Sequence, residues 1–306
     1  MESPYADAVR LLLAVAPAVF RNDIFAMKGG TAINLFLRDM PRLSVDIDVV
    51  YLPWHVPREV ALREIECELG RIASRIEAFG LQARTLPHSA VADCKLVVES
   101  DSSQVKIEVN TVFRGTVMSP RQRPLSEKTR DSFGVAFEIP LLCPDEIYAS
   151  KLVAALDRQH PRDLFDVWHL FAAEGLTDAM VDCFVIYLAG HNRPIHEVLF
   201  GNDRNIRAEY ERAFVGMTET SCSLQTLLDA RSRLRAELPR RLSAAHRAFL
   251  SSLARGEPQW RLLSCRHAAD LPALRWKVSN LAAFRKRRPA EFQLQADMLD
   301  TWLMCL

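Results

Sequence analysis

The chain predicts an α+β protein, with a mixed sheet and its helices in residues 1–142 and a helical domain over 143–306. Three observations carry this. Strand-like runs crowd the first half, at 24–27, 45–51, 81–86, 94–99, 105–111 and 134–139. Two helix-length amphipathic stretches, 6–20 and 58–79, interrupt them. From Cys143-Pro144 onward apolar residues recur at helical spacing and helices dominate. At 306 residues the chain is long enough for two domains with a substantial core.

Each element follows from local pattern. Val9, Leu12, Leu13, Ala16 and Phe20 share one helical face and brace a core. Ile24 to Met27 is a short strand leading into Gly29-Gly30. The run 45–51 ends at Leu52-Pro53, where proline stops regular pairing. Val60, Leu62, Ile65, Leu69, Ile72 and Ile76 line a long helix that Gly80 closes. Residues 105–111 alternate strictly, with Val105, Ile107 and Val109 on one face and Lys106, Glu108 and Asn110 on the other. Polar residues, prolines and arginines make 114–133 a loop. Helices are expected at 178–188, 206–214 and 224–253, with Pro239 kinking or splitting the last.

Composition excludes several classes. Hydrophobic residues at 49% and charged residues at 25% are those of a soluble globular protein. No apolar run approaches membrane-spanning length, and Leu11 to Phe20 is short and holds Pro17, a poor secretion signal. Seven scattered cysteines without a C-x-x-C pair suggest neither zinc nor a disulfide framework, so a reduced cytoplasm is the expected compartment. Charge is uneven. Residues 1–120 carry 13 basic and 15 acidic side chains, 121–200 carry 8 and 12, and 201–306 carry 18 and 11. Arg231, Arg233, Arg235, Arg240 and Arg241 cluster there, as do 285–288. A basic third suits a polyanionic partner, although this feature taken alone favours a solvated helix face with intrachain partners.

The chemistry concentrates in KGGTAINLFLRDMPRLSVDIDVVY, residues 28–51. Asp46 and Asp48 are two apart on a strand, so both project to one face while Val45, Ile47 and Val49 enter the core. Paired carboxylates repel unless a cation lies between them, and Mg²⁺ takes such oxygen ligands together with substrate phosphates. Ser44 precedes on the same face. Gly29-Gly30-Thr31 opens a helix expected over 31–38, where glycine admits close backbone approach and free N–H groups attract a phosphate. Glu108, on its own alternating strand, is placed to be a third carboxylate. A surface turn and a polar strand edge are the unremarkable alternatives.

A second constellation is PDEIYASKLVAALDRQHPRDLFDVWHL, residues 144–170. Lys151 and Arg158 are about two turns apart on one helix face. Pro161 starts the next helix, where Asp163 and Asp166 are i and i+3 neighbours. The competing reading is an internal network in which Arg158 and Arg162 pair with the aspartates.

The K-G-G-T-A and R-x-S-x-D-I-D motifs of 28–48, with the K-x6-R-x3-R-D-x2-D run of 151–166, resemble the AbiEii/AbiGii toxin-type nucleotidyltransferases, whose mycobacterial members are the MenT toxins. The resemblance covers most of the chain and extends to FLSSLARGEPQWRLL and LPALRWKVSNLAAF near the C-terminus. It implies a polymerase-β-like nucleotidyltransferase core whose active site the helical domain completes. It implies an NTP substrate and two Mg²⁺ ions held by Asp46, Asp48 and Glu108. Lys28, Gly29, Gly30, Thr31, Ser44, Arg158 and Asp163 fall to nucleotide binding. Lys151 serves as the phosphate or leaving-group contact, and Asp166 or Asp163 as a further acid. The implied acceptor is the 3′ end of tRNA, with a separately encoded antitoxin as partner. Two other functions compete: transfer to a small-molecule or protein hydroxyl, and a catalytically idle RNA-binding module.

Overall fold

Seven strands build one mixed sheet in a computed structural model that describes residues 4–86 and 94–306. They are β1 (Phe25–Lys28), β2 (Asp46–Tyr51), β3 (Gln82–Leu86), β4 (Cys94–Glu99), β5 (Gln104–Asn110), β6 (Arg121–Pro124) and β7 (Glu138–Leu141). Their order is β3-β4-β5-β2-β1-β7-β6. β2 pairs parallel with β5 and antiparallel with β1, so it lies in the middle of the sheet. That position fits its pattern: Ile47, Val49, Val50 and Tyr51 are all fully buried, as are Ile107 and Val109 on β5. The chain divides into two compact units, Met1–Ile147 and Tyr148–Leu306.

The first unit adds four helices to the sheet. α1 (Pro4–Val19) packs on β5, and α3 (Arg58–Glu77) packs on β3 and β4 through Ala61, Ile65, Leu69, Ile72 and Ile76. Glu68, also buried in α3, accepts from Asn22, Arg71 and Arg75, which spreads its charge over three donors.

α2 (Gly29–Ala32) continues into a π-helical turn at Ile33–Leu37. This helix begins two residues earlier than the glycine pattern suggests. The π-turn is held where Arg38 N donates to Ile33 O at 2.8 Å. Asn34 Nδ2 donates to Gly30 O at 2.8 Å, and Asn34 Oδ1 accepts from Arg42 N at 3.2 Å.

The expected loop at 114–133 is corrected. It holds β6 and α4 (Glu127–Phe133), capped by Ser126 accepting from Thr129 N and closed by Gly134 in the left-handed region. Gly134 is therefore a helix terminator, and the strand expected at 134–139 runs instead over Glu138–Leu141.

Helices make up the second unit. α5 (Pro144–Asp157), across which the division falls, leads to α6 (Pro161–Ala173), α7 (Asp178–Ala189), α8 (Ile195–Leu199), α9 (Arg207–Ala213) and α10 (Leu224–Glu237). α11 (Ala244–Ala254), α12 (Pro272–Arg287) and α13 (Pro289–Met304) complete it. Pro239 splits the long helical stretch into α10 and α11, with Pro239–Arg241 as a single 3₁₀ turn. Residues 183–189 of α7 are all buried, which marks it as the central helix of this unit. α10 packs on α6, and α11 and α12 pack on α13.

Candidate active site

Register across the sheet places a row of charges over four strands. Lys28 on β1 faces Asp48 on β2, Asp48 faces Glu108 on β5, and Glu108 faces Lys95 on β4. Residues opposed in register project to the same side of a sheet. Asp46, two residues before Asp48, shares that side and stands opposite Lys106. Both aspartates are half-buried, while their neighbours Ile47 and Val49 are fully inside. The alternation in the sequence thus becomes an acidic pair on a rigid central strand, and Glu108 joins its row through the parallel β2–β5 pairing.

Glycine at 29 and 30 has a specific cause. Gly29 has φ of +80°, and a Cβ there would lie 2.2 Å from Asp48 Oδ2. A Cβ on Gly30 would lie 2.6 Å from Arg42 Nη2 and 3.0 Å from Ser44 Oγ. The space that the glycines leave is filled by the Asp48 carboxylate and by Arg42, a buried side chain whose Nη1 donates to Leu43 O at 2.8 Å. Thr31 is fully buried. Its hydroxyl donates to Asp46 O at 2.6 Å and meets Ser44 Oγ at 3.0 Å. Thr31 therefore fixes the start of β2 instead of presenting its hydroxyl to solvent.

Glu108 is committed to a partner the sequence did not reveal: Lys95 Nζ lies 2.8 Å from its Oε1. Among the described residues, no three His, Cys, Asp or Glu side chains converge to hold a metal ion. The expected three-carboxylate set is thus not gathered as one cluster. Asp46 and Asp48 still fit a hard divalent cation by chemistry, since two oxygen donors on one face leave room for water and phosphate ligands. Glu108 can join them through Oε2, with the Lys95 ammonium on Oε1 competing for its charge.

In the second unit, α5 and α6 bring together the other predicted residues. Lys151, 7% exposed, donates to Asp163 Oδ1 at 2.8 Å and lies 3.1 Å from Asp166 Oδ2. Arg158 Nε and Nη2 reach Asp163 Oδ2 and Oδ1 at 2.5 and 2.9 Å. Burial alone would push the Asp163 carboxyl up. The Lys151 ammonium and the Arg158 guanidinium outweigh it and hold that carboxyl well below the usual range. Asp163 is shared by the two cations, and Asp166 meets Lys151.

The basic third is largely compensated within the chain. Arg231 and Arg235 pair with Asp203, Arg233 with Glu237 and Arg241 with Asp178. Arg285 pairs with Glu257 and Arg288 with Glu291. Of the arginines singled out by sequence, Arg240 is exposed and has no partner among the described residues.

A mixed sheet bearing an aspartate pair beside a glycine-opened helix defines a protein of the α+β nucleotidyltransferase fold class. A family model described as nucleotidyl transferase AbiEii toxin, type IV toxin–antitoxin system, matches residues 10–280, and the chain belongs to that family. The structure is also similar to MenT4, a nucleotidyltransferase toxin from Mycobacterium tuberculosis H37Rv, with a TM-score of 0.59 and 16% identity over 91% of this chain and 93% of that one. At that identity the likeness speaks for the fold. No curated protein matches the chain by sequence. Among the described residues, no helix is long and apolar enough to cross a membrane.

Proposed function

We propose that this protein transfers a nucleotide from an NTP to the 3′ end of tRNA, blocking translation as the toxin of a toxin–antitoxin pair. The observation that carries the reading is the placement of Asp46 and Asp48 on one face of β2, with Glu108 in register beside Asp48. Family membership supports the transferase chemistry and the antitoxin partner. The acceptor hydroxyl attacks the α-phosphorus and pyrophosphate leaves, so negative charge grows on oxygens that must be held and neutralised. Asp46 and Asp48, joined by the Oε2 of Glu108, would hold Mg²⁺. The metal supplies charge neutralisation at the phosphates and activates the attacking hydroxyl.

Residue roles follow the family resemblance. Lys28 and the backbone N–H groups of Gly29 and Gly30 meet the nucleotide at the start of α2. Thr31 and Ser44 orient β2. Lys151 takes the leaving-group role that the family resemblance implies, Asp166 holds its ammonium, and Asp163 with Arg158 keeps that lysine in place.

The test is direct. Purified protein is incubated with total tRNA, Mg²⁺ and each α-labelled NTP in turn. Labelled tRNA with one NTP, lost in Asp46→Ala, supports the reading. Label entering a small molecule or a protein from cell extract, with no RNA required, replaces tRNA by another hydroxyl acceptor. RNA binding with no transfer to any acceptor leaves an idle binding module.

A further inference from the structure

The far end of β2 carries a pair of like charges that the chain leaves uncompensated. Arg114, which follows β5, is 4% exposed. Its Nε and Nη1 are buried with no hydrogen-bond partner among the described residues. Burial pushes the guanidinium down, and nearby Arg58 pushes it further in the same direction; Tyr51 alone acts the other way. The Tyr51 hydroxyl, for its part, donates to Glu64.

Arg58 is the exposed first residue of α3, and its N-cap, Pro57, supplies no side-chain cap. α3 is 20 residues long, so its first-turn N–H groups carry the positive end of a full helix dipole. Glu59, the acidic residue of that turn, is exposed and bonds to neither arginine.

Leaving a buried guanidinium without an acceptor is among the costlier arrangements a fold can hold. Here a second arginine, the first residue of α3, adds to the cost. An oxyanion answers both, because a guanidinium presents its N–H groups as a planar fork that matches phosphate oxygens.

We propose that Arg58, Arg114 and the first turn of α3 form a binding site for a phosphate group. The site is distinct from the nucleotide chemistry. Asp46 opens β2 and Tyr51 closes it, and alternation puts Tyr51 on the face opposite the aspartates, where it reaches Glu64 of α3. The bound phosphate is either a free oxyanion or one carried by a nucleic-acid backbone.

The test uses the full chain with inorganic phosphate as the probe, against chloride at matched ionic strength. Phosphate raises the Tm of the wild type, Arg58→Ala and Arg114→Gln lose that rise, and Asp46→Ala keeps it. Arg58 is exposed, so Arg58→Ala decides the matter even where Arg114→Gln fails to fold. A tRNA titration over a range of salt then separates the sources. For nucleic-acid phosphate, Arg58→Ala weakens binding and lowers the salt slope by about one. For a free oxyanion, tRNA binding is unchanged while the Tm rise is lost. A phosphate-induced rise that persists in Arg58→Ala, or disappears only in Asp46→Ala, overturns the site. So does a wild type that shows no rise and whose tRNA affinity Arg58→Ala leaves unchanged.

Discussion

Lys95 on β4 donates to Glu108 on β5 at 2.8 Å, directly across the ladder from the Glu108–Asp48 register. Both side chains are about a third exposed or less, so the bond itself contributes little to stability, on the order of 0–1 kcal/mol. Its consequence is competition: an ammonium occupies the carboxylate that a divalent cation would use. Lys95→Met should therefore tighten Mn²⁺ or Mg²⁺ binding several-fold in calorimetric titration. The same substitution in a Glu108→Gln background should change nothing. Unaltered or weaker metal binding in Lys95→Met would remove Glu108 from the metal-binding set.

Gly29→Ala tests the close approach of backbone and carboxylate. Its φ of +80° costs an L-residue roughly 1–2 kcal/mol, and the new Cβ would collide with Asp48 Oδ2. Both lower stability, and displacement of Asp48 should also abolish nucleotide transfer. Gly70→Ala is the control. It lies on the exposed side of α3 with nothing within 4 Å of a new Cβ, and it should gain about 0.5–1 kcal/mol in urea denaturation. A Gly29→Ala protein of normal stability and activity would show that the Asp48 contact is dispensable.

Much of this arrangement was legible in the sequence because it is local. The i, i+2 placement of Asp46 and Asp48, the alternation around Glu108, and the start of α6 at Pro161 depend only on period and proline chemistry. Lys95 was not legible, since its meaning depends on β4 lying beside β5, a long-range pairing that spacing does not encode. β6 was missed because Arg-Gln-Arg-Pro has neither apolar alternation nor β-branched residues and pairs only at the sheet edge. α4 does carry a local signal, with Ser126 before the helix and Gly134 just after it. The glycine pattern implies room for a phosphate, whereas the side-chain space at Gly29 is taken by Asp48, a contact that only the folded chain reveals.

Asp163 and Asp166 are predicted to part under mutation. Asp163 is contacted by the buried Lys151 and the exposed Arg158, and removing its charge takes one buried counter-ion from Lys151 and the ion pair from Arg158. Asp163→Asn should cost about 3–5 kcal/mol in urea denaturation, as breaking a buried pair does. Because its folded carboxyl is held low, that stabilisation is complete above about pH 4–5 and fades as pH falls further. Asp166→Asn leaves the Asp163–Lys151–Arg158 contacts intact and should cost less, while reducing transfer activity. Equal destabilisation by both, with activity scaling only with the folded fraction, would make the cluster purely structural.

Lys277 gives a pH dependence of the same sign in an alkaline window. Burial pushes its amine down to about 8, and Nζ donates to His191 O and Arg193 O at 2.8 Å each. An ordinary lysine titrates near 10.4, so between about pH 8 and 10 the unfolded chain binds a proton that the native chain has released. Stability contributed by this site therefore rises with pH across that window, by up to about 1.4 kcal/mol per pH unit. Lys277→Met removes the titration and strands two carbonyls. The stability difference between wild type and variant should thus widen in favour of the wild type from about pH 7.5 to 9.5, by about 1–2 kcal/mol. A difference that stays flat would mean that the amine titrates normally.

Arginine pairing decides which side chains of the basic third can meet RNA. Arg241 and Arg255 are tied to Asp178 and to Asp297 and Asp300, so a phosphate would have to displace those acids. Arg240, Arg261, Arg266 and Arg275 are exposed and show no such partner among the described residues. Removing one arginine–phosphate interaction makes the dependence of log K on log salt shallower by about one. Alanine at Arg240 or Arg266 should therefore reduce both tRNA affinity and the salt slope, while alanine at Arg255 leaves both near the wild type. Asp178→Asn, by releasing Arg241, should strengthen tRNA binding at low salt, because the freed guanidinium can then meet a phosphate. If all these variants bind tRNA with the wild-type slope, the positive charge of residues 201–306 is an internally balanced helix surface, and tRNA is held elsewhere on the chain.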